Sequence, residues 1–596
     1  MRLTRPPTAS YGHLVRSPIG WLWAQKSDIF ASLRVKKEPR VPASASTTAG
    51  RRISRRPRDR APRYMSHAVS ARFAPGSRLT RDAEPSKRRV ASTLRMRTHK
   101  RRPNNLGRIA IGPRAVAADK SNAPEISPEF VCPSLVERHG LKPTQSPFAA
   151  GSLAGKWVAG LGQKFVTNED CVLLNALRYE VLECTVTTPD PTDAMVDGTD
   201  DWAHDGVCEV GGEWRGKWAM RAGPRESVYF EPGEVKAAIV TCGGLCPGLN
   251  DVIRQLTITL EEYGVKDIKG IRYGFRGFFE QEGELRQPIK LTSNLVETIH
   301  LEGGSILGSS RGGSDTSDIV DAIAEMQLDF LFVIGGNGSH AGALAIDNMC
   351  RERNMPTAVI GIPKTIDNDI LLLDRTFGFQ TAVDEAIKAI RSAAIEARSA
   401  FNGVGLVRVM GRQSGFIAMH AALASGEVDV CLIPEIDTTL EGEGGVLAHV
   451  RRVLTRKEHC VIVVAEGAGQ EILGKIGETD ASGNPVLQNF AKFLQKEMKE
   501  KLADCSPDIK YIDPTYMVRA CPTNGSDAVY CSLLGQNAVH AAFAGLSGVT
   551  VGLCNGHYVY LPIPPLISRA REVDPNGRMW ERLKLAIQQP VFSASA

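Results

Sequence analysis

Residues 361–369 read Gly-Ile-Pro-Lys-Thr-Ile-Asp-Asn-Asp and combine a strand end, a cation and two carboxylates. The apolar run 357–362 is typical of a buried strand in a parallel sheet, which Pro363 is expected to end. Open α/β sheets bind ligands at such carboxyl ends. If the segment stays extended, Asp367 and Asp369 face one side. Beside Lys364, this pattern predicts proton removal from a hydroxyl near an anionic group, although Asp-Asn-Asp alone is equally typical of a solvated turn.

Strands and helices alternate along the chain on both sides of this stretch. Each predicted strand is a short apolar run, and each predicted helix shows apolar residues at helical spacing. This alternation favours parallel sheets, and 596 residues suffice for two lobes. We predict an α/β fold with two doubly wound, Rossmann-like lobes, parallel-rich sheets and the active site between the lobes. The predicted strands are 235–240, 330–334, 404–409, 428–433 and 460–465, and the predicted helices after residue 378 are 380–399, 413–423, 445–456 and 486–502.

The net charge of +6 conceals an uneven distribution. Residues 1–110 hold 27 Lys+Arg and 5 Asp+Glu, whereas the remainder holds 45 and 61. An Arg- and Ser-rich, acidic-poor front is typical of an organellar transit peptide, and a basic nucleic-acid arm is the alternative. We predict a transit peptide or disordered basic leader at 1–112, a plastid stroma location and no nucleic-acid partner. The sequence contains no run of eighteen apolar residues, so no membrane partner is expected.

Three glycine-rich loops precede the opening stretch, at 241–248, 303–313 and 335–339. Two of them follow a predicted strand and lead into a helix, an arrangement in which backbone N–H groups and a helix N-terminus can hold a phosphate. Each loop alone could be a plain turn. Together with Lys364 and the Asp pair, they predict a nucleoside-phosphate site that transfers a phosphoryl group. The GxxxxGK[ST] pattern is absent, which excludes a P-loop enzyme.

These residues resemble the ATP-dependent 6-phosphofructokinase family, in its plant-type plastid branch, over roughly residues 225–570. The markers are Gly-Gly-Leu-Cys-Pro-Gly-Leu-Asn at 243–250, Gly-Ser-Ser-Arg-Gly-Gly at 308–313, Gly-Gly-Asn-Gly-Ser at 335–339, Pro-Lys-Thr-Ile-Asp-Asn-Asp at 363–369, Met-Gly-Arg at 410–412, Ala-Glu-Gly at 465–467 and Tyr-Met-Val-Arg at 516–519.

The resemblance implies transfer of the ATP γ-phosphoryl group to the 1-hydroxyl of fructose 6-phosphate, with Mg²⁺ as cofactor, in a homo-oligomer (dimer or tetramer). It implies an ATP-binding lobe at 231–378 with 518–565, and a fructose 6-phosphate lobe at 379–517 with 566–596. Residues 113–230 are expected to be an N-terminal extension that packs on this core. The alternatives are a pyrophosphate-dependent enzyme and a non-catalytic regulatory subunit.

The resemblance also implies roles for individual residues. Asp367, Arg412 and Lys364 are the catalytic residues, with Asp367 as the base. Lys510 stands where the family often has an Arg that acts across a subunit interface. The implied ATP-binding residues are Gly243, Arg311, Gly312, Gly336, Asn337, Gly338 and Ser339. The implied substrate-binding residues are Thr365, Ile366, Asp367, Met410, Gly411, Arg412, Glu466, Lys510, Tyr516 and Arg519.

Some positions depart from the family pattern or bear on the phosphoryl donor. Asn337 replaces the family's metal-site Asp, and a neutral amide is a weaker Mg²⁺ ligand than a carboxylate. Gly403 and Tyr516 stand where bacterial members have Arg and His. Lys at position 364 occurs both in family members that use ATP and in members that use pyrophosphate. The members that use pyrophosphate carry Asp at position 338. Gly338 therefore predicts ATP as the donor.

Overall fold

The strands of two main sheets form from short runs rich in Val, Ile, Leu and Ala. The computed structural model describes residues 126–149, 165–174, 217–279, 287–311, 315–474, 477–479 and 485–592, and the predicted leader lies outside these ranges. The strands are β1 Thr144–Gln145, β2 Cys171–Leu173, β3 Trp218–Arg221, β4 Ser227–Val228, β5 Lys236–Thr241, β6 Asp267–Ile271, β7 Ile289–Lys290, β8 Phe330–Gly335, β9 Ala358–Pro363, β10 Gly403–Val409, β11 Val430–Leu432, β12 His459–Ala465, β13 Asp508–Ile512, β14 Val549–Cys554 and β15 His557–Pro562.

Helices connect most of the parallel strands, as the alternating pattern predicts. They are Leu135–His139, Leu249–Tyr263, Ser293–Val296, Thr316–Glu325, Asn337–Glu352, Phe379–Ser399, Phe416–Ser425, Val446–Lys457, Gln470–Leu473, Phe490–Lys501, Thr515–Arg519, Gly525–Phe543, Ile563–Leu566 and Arg578–Ile587. Within the described ranges, no helix is both long enough and apolar enough to cross a bilayer.

The larger sheet has the strand order β2-β3-β15-β14-β9-β8-β5-β6-β7. Its centre, from β14 to β6, is parallel. Its margins are antiparallel, because β15, β3, β2 and β7 each run against the neighbouring strand. The smaller sheet, β11-β12-β10-β13, is parallel throughout. The predicted α/β class with parallel-rich sheets is confirmed, and the larger sheet is mixed only towards its margins.

Both faces of the larger sheet are covered. Phe330 and Phe332 of β8 pack into one apolar core together with the helices Leu249–Tyr263 and Gly525–Phe543. Leu331 and Val333 point the other way and pack against the helices Thr316–Glu325 and Asn337–Glu352. Alternate residues of one strand thus enter two cores, as expected for a strand buried on both faces.

The helix Phe379–Ser399 packs between the two sheets. Its Ile390 and Ala393 share a core with Phe330 of the larger sheet and with Val461 of the smaller one. Apolar packing is therefore continuous from one sheet to the other, and this holds the carboxyl ends of their strands in a fixed relation.

Residues 113–230 contribute strands of their own. β3 pairs with β15, and β2 pairs with β3, so parts of residues 113–230 extend the larger sheet at one margin. The lobe boundaries derived from the resemblance stay a prediction. Single predicted elements shift at their ends: the helix expected at 413–423 is Phe416–Ser425, and Pro363 is the last residue of β9 rather than the first beyond it.

Candidate active site

The candidate site lies at the carboxyl ends of strands from both sheets. β5, β8 and β9 lie side by side and lead into the loops that carry Gly243, Gly336 and Lys364. β10 and β12 are neighbours in the smaller sheet and lead into Arg412 and Glu466. Because the carboxyl ends of parallel strands meet at one edge, each sheet contributes its own cluster of polar side chains.

Two cavities open between these edges, with volumes of about 580 and 630 Å³. The first cavity is lined by the glycine loops and the helix Asn337–Glu352, and the second by the ends of β10, β12 and β13. They share a wall of five residues, namely Arg311, Lys364, Thr365, Asp367 and Arg412. A group in one cavity can therefore reach a group in the other across Asp367.

The turn at 367–369 does not stay extended, so the geometric premise of the sequence analysis was wrong. Asn368 has a φ of 60°, in the left-handed region, and its buried Oδ1 accepts a hydrogen bond of 2.9 Å from the Thr376 N–H. Asx side chains favour such turns because they bond to nearby backbone. Asp367 and Asp369 nevertheless both line the first cavity, and Asp367 also lines the second.

Asp367 has the electrostatics of a base that works near neutral pH. Burial raises its pKa to about 7, and the carboxylates of Asp369 and Glu466 push in the same direction. Lys364 and Arg412 act in the opposite direction. Its Oδ1 is buried and has no hydrogen-bond partner among the described residues. A carboxyl with a pKa near 7 and a buried, unused oxygen suits proton transfer.

Lys364 is buried beneath the first glycine loop. Its Nζ donates a hydrogen bond of 3.0 Å to the carbonyl oxygen of Gly244, and burial lowers the pKa of its ammonium group. Gly243 has a φ of 86°, and a Cβ there would lie 3.1 Å from this Nζ. Glycine at 243 therefore serves the turn and lets the cation come close to the loop backbone.

The first cavity has a polar end and an apolar end. At the polar end, Gly336 caps the N-terminus of the helix Asn337–Glu352, where free N–H groups favour an anion. A Cβ at Gly338 would meet no described atom within 4 Å, so the space beside it is open. Phe275, Ile319 and Ile346 form the apolar end, which suits a planar nucleobase. Gly312 lies outside the described residues.

Arg408 is a site residue that the sequence analysis missed. It lines the second cavity and forms ion pairs with Glu466 at 3.1 Å and with Asp513 at 3.0 Å. A lone Arg in the otherwise apolar strand β10 was the signal that could have identified it. Asp369 was noted in the opening stretch but was not assigned a role.

The wall of the second cavity carries more cations than carboxylates. Arg519 donates to the carbonyl oxygen of Leu245 at 3.4 Å, and Arg412 donates to that of Pro485 at 2.5 Å. Arg and Lys side chains are the usual partners of a sugar phosphate, whereas Glu suits sugar hydroxyls. The cations on its wall are Arg311, Lys364, Arg408, Arg412 and Arg519.

The remaining predicted substrate residues occupy different places. Ile366, Met410 and Tyr516 line the second cavity, Tyr516 at its rim with 82% of its surface exposed. Gly411 does not line it, as far as the described residues define its wall. Lys510 also lies away from that wall and pairs with Asp508 at 3.0 Å on the edge strand β13.

The described residues contain no cluster of three or more His, Cys, Asp or Glu side chains able to hold a metal. Three buried side-chain oxygens on the wall of the first cavity, from Asn337, Asp367 and Asp369, have no hydrogen-bond partner within the described ranges. The Asn337 Nδ2 donates to the Asp369 carbonyl at 3.3 Å, which leaves its Oδ1 unused. Mg²⁺ commonly binds one or two protein oxygens plus waters and substrate phosphates. Asn337 and Asp369 fit an ion that arrives with a nucleotide, and the Asp367 oxygen is the one that suits proton transfer.

Comparisons with known proteins identify the family of the chain. The family model described as Phosphofructokinase matches residues 236–542. The chloroplastic ATP-dependent 6-phosphofructokinase 5 of Arabidopsis thaliana is 54% identical over 430 residues, which cover 72% of this chain and 76% of that protein. The chloroplastic ATP-dependent 6-phosphofructokinase 4 of the same plant is 48% identical over 389 residues, covering 64% and 72%.

A solved pyrophosphate-dependent phosphofructokinase from Marinobacter aquaeolei matches with a TM-score of 0.51 at 19% identity, over 60% of this chain and 92% of that one. At this identity the likeness concerns the fold alone. The family model and the curated relatives carry the assignment: this chain belongs to the phosphofructokinase family.

Proposed function

We propose that the chain is an ATP-dependent 6-phosphofructokinase, which converts fructose 6-phosphate and ATP to fructose 1,6-bisphosphate and ADP. The observation that carries this proposal is the position of Asp367 on the wall shared by two cavities. One cavity has the glycine loops of a nucleotide site, and the other has the cations of a sugar-phosphate site. The curated relatives at 44–54% identity bear the same activity in their names.

Asp367 takes the proton of the sugar 1-hydroxyl as that oxygen attacks the γ-phosphorus. Lys364, Arg412 and Arg311 stand on the same shared wall and neutralise the charge that spreads over the transferred oxygens. Phosphoryl transfer requires positioning and charge stabilisation more than covalent work by the protein, and these four side chains supply both. Mg²⁺ held at Asn337 and Asp369 would neutralise phosphate charge when the nucleotide is bound, and the free oxygen of Asp367 is left for the proton.

The first cavity takes ATP. Gly243, Arg311, Gly312 and the residues 336–339 approach its phosphates, and the open space at Gly338 leaves room for the α-phosphate. An Asp at 338 would place a carboxylate there. Two like charges about 4 Å apart cost roughly 4 kcal/mol at an effective dielectric near 20. Glycine removes this barrier, which favours ATP over pyrophosphate as the donor.

The second cavity takes fructose 6-phosphate. Arg519, which lies on its wall away from the wall shared with the first cavity, binds the 6-phosphate, and Glu466, held by Arg408, accepts hydrogen bonds from the sugar hydroxyls. Gly411 shapes the loop that presents Arg412, and Lys510 acts from a neighbouring subunit. The other ligands in this proposal are Thr365, Ile366, Met410, Tyr516 and Arg519.

The chain acts in plastids, in the stroma, as a homo-oligomer. The acidic-poor leader and the two chloroplastic relatives support the location. Exposed apolar side chains beside the second cavity, Tyr516 at 82% and Met517 at 75%, support a subunit contact there. Such large apolar side chains at a cavity rim are typical of interaction surfaces.

An assay coupled to aldolase tests the proposal with the purified chain, fructose 6-phosphate, Mg²⁺ and either ATP or pyrophosphate. Turnover with ATP and little turnover with pyrophosphate is the expected result. Equal turnover with both donors would contradict the donor assignment, and no turnover with either would contradict the activity.

A further inference from the structure

Residues remote from both cavities tie the catalytic turn at 367–369 to the loop 410–415 that carries Arg412. The carbonyl oxygen of Asp367 accepts a hydrogen bond of 2.9 Å from the buried Ser414 hydroxyl. The carbonyl oxygen of Asp369 accepts one of 2.9 Å from the Arg571 N–H. The turn is thus held from one side by the Arg412 loop and from the other by a segment close to the C-terminus.

Glu435 connects these two supports. Its Oε1 accepts the Gly415 N–H and the Val573 N–H, each at 2.8 Å. Gly415 adjoins Ser414, and Val573 is two residues from Arg571. The contacts therefore close a ring that runs from the turn through 571–573, Glu435 and 414–415 back to the turn.

Arg571 reinforces the ring with its side chain, which is 1% exposed. The guanidinium carbon lies 4.7 Å from the centre of the Phe416 ring, and Phe416 begins the helix directly after the Arg412 loop. Its Nη1 also lies 3.4 Å from the Asp374 carbonyl oxygen, on the segment after the turn. A buried cation with aromatic and carbonyl partners is costly to disturb, so the ring is stiff.

We propose that Glu435 and residues 571–573 form a clasp that sets the position of Asp367 relative to Arg412, which makes Glu435 a positioning residue for phosphoryl transfer. This inference rests on the proposed function, because it assigns Asp367 and Arg412 to one reaction. Neither Glu435 nor Arg571 lines either cavity in the described part of the chain. Their effect on the reaction acts through the backbone of the turn and of the loop.

A matched pair of variants separates the clasp from simple packing. Glu435→Gln keeps an acceptor oxygen for both N–H groups, whereas Glu435→Leu keeps the bulk and removes the acceptor. We expect kcat of the Leu variant to fall by about 10- to 100-fold, since a displacement of about 1 Å has effects of this size. The Gln variant should stay within about threefold of wild type. The KM for ATP should change less than kcat, because the loop 335–339 meets the ring through one hydrogen bond of 3.3 Å, from the Asn337 Nδ2 to the Asp369 carbonyl oxygen.

Hydrogen–deuterium exchange provides a readout independent of activity. In the Leu variant, exchange should rise in peptides covering 365–371, 410–416 and 570–575 and stay unchanged in β8. Unchanged exchange at 365–371, or faster exchange there with wild-type kcat, would overturn the clasp. If the Leu variant does not fold, Glu435→Asp replaces it, because the shorter side chain cannot reach both N–H groups. An inactive wild type would refute the proposed function, and the exchange data would still decide whether the ring holds the turn.

Discussion

At the residue scale, Asp367 lies where the reaction needs a base, and its surroundings disfavour its charged form. It is half-buried on the shared wall of two cavities, close to Asp369, and its buried Oδ1 has no hydrogen-bond partner in the described part of the chain. Burial and like charge raise its pKa to about 7. The same features that make it an effective base make its charged form costly in the folded protein.

Asp367→Asn should lower kcat by about 10²- to 10⁴-fold, the usual contribution of a positioned base. The KM for fructose 6-phosphate should remain within several-fold, because the amide keeps the size of the carboxyl group and the cations of the second cavity are untouched. Steady-state kinetics with both substrates varied test this. A variant that keeps more than about a tenth of wild-type kcat would show that Asp367 is not the base.

The same variant should be more stable than wild type at high pH. The folded-state pKa of Asp367, about 7, exceeds that of an unfolded Asp, about 3.9, so the unfolded state loses its proton first. Stability from this group is therefore present below pH 4 and lost as pH rises through 7.

Thermal unfolding of wild type and Asp367→Asn at pH 5 and pH 8 measures this effect. The difference in Tm should favour the variant and be larger at pH 8. If the difference in Tm between the two proteins is the same at pH 5 and at pH 8, the pKa of Asp367 lies outside the interval between these values.

Gly338→Asp should abolish most use of ATP without harming the fold. A Cβ at 338 meets no described atom within 4 Å, so the substitution is accommodated and acts only on the ligand. The expected rise in the KM for ATP is up to about a thousandfold, from the charge repulsion between the carboxylate and the α-phosphate. Gly338→Ala is the control and should change the KM only slightly. A similar rise in the KM for ATP in both variants would show that the effect comes from the change at the helix N-terminus and not from the charge of the Asp side chain.

At the element scale, the site depends on loops whose shape only particular residues allow. Strong periodicity let the sequence predict β5, β8, β9, β10 and β12 and the helices that follow them, because buried strands and amphipathic helices carry local signals. The strands β2, β3 and β15 were not predicted, since margin strands depend on pairing with distant residues, and the strands β6, β13 and β14 were not predicted either. The left-handed Asn368 and the half-buried Arg408 were missed because their roles depend on side-chain contacts: Asn368 bonds to Thr376, and Arg408 pairs with Glu466 and Asp513, which are remote in sequence.

Gly411→Ala tests the shape of the loop that carries Arg412. Gly411 has a φ of 126°, and a Cβ there would lie 2.3 Å from the Ser414 carbonyl oxygen. The loop would have to move, and Arg412 with it, so kcat should fall by about 10²-fold. Gly426→Ala, at φ 66° with open space around it, is a matched control for backbone strain alone. Activity close to wild type in Gly411→Ala would show that the loop tolerates the change.

At the scale of the whole molecule, two sheets of different size place their strand ends around one reaction centre. The larger sheet supplies the glycine loops, Lys364 and Asp367, and the smaller one supplies Arg408, Arg412 and Glu466. The motifs predicted every member of the two groups except Arg408, but the sequence did not show how the groups meet. Their meeting depends on the helix Phe379–Ser399 and on apolar packing that continues across both sheets.

The central claim is that the phosphoryl group passes between the two cavities, from ATP to the sugar. Phosphorus-31 NMR of the purified chain with MgATP and fructose 6-phosphate tests it directly, because each phosphorus atom has its own resonance. The account predicts loss of the γ-phosphorus signal and an equal gain of ADP and of a second sugar-phosphate signal at carbon 1. Formation of ADP and inorganic phosphate without fructose 1,6-bisphosphate would contradict it.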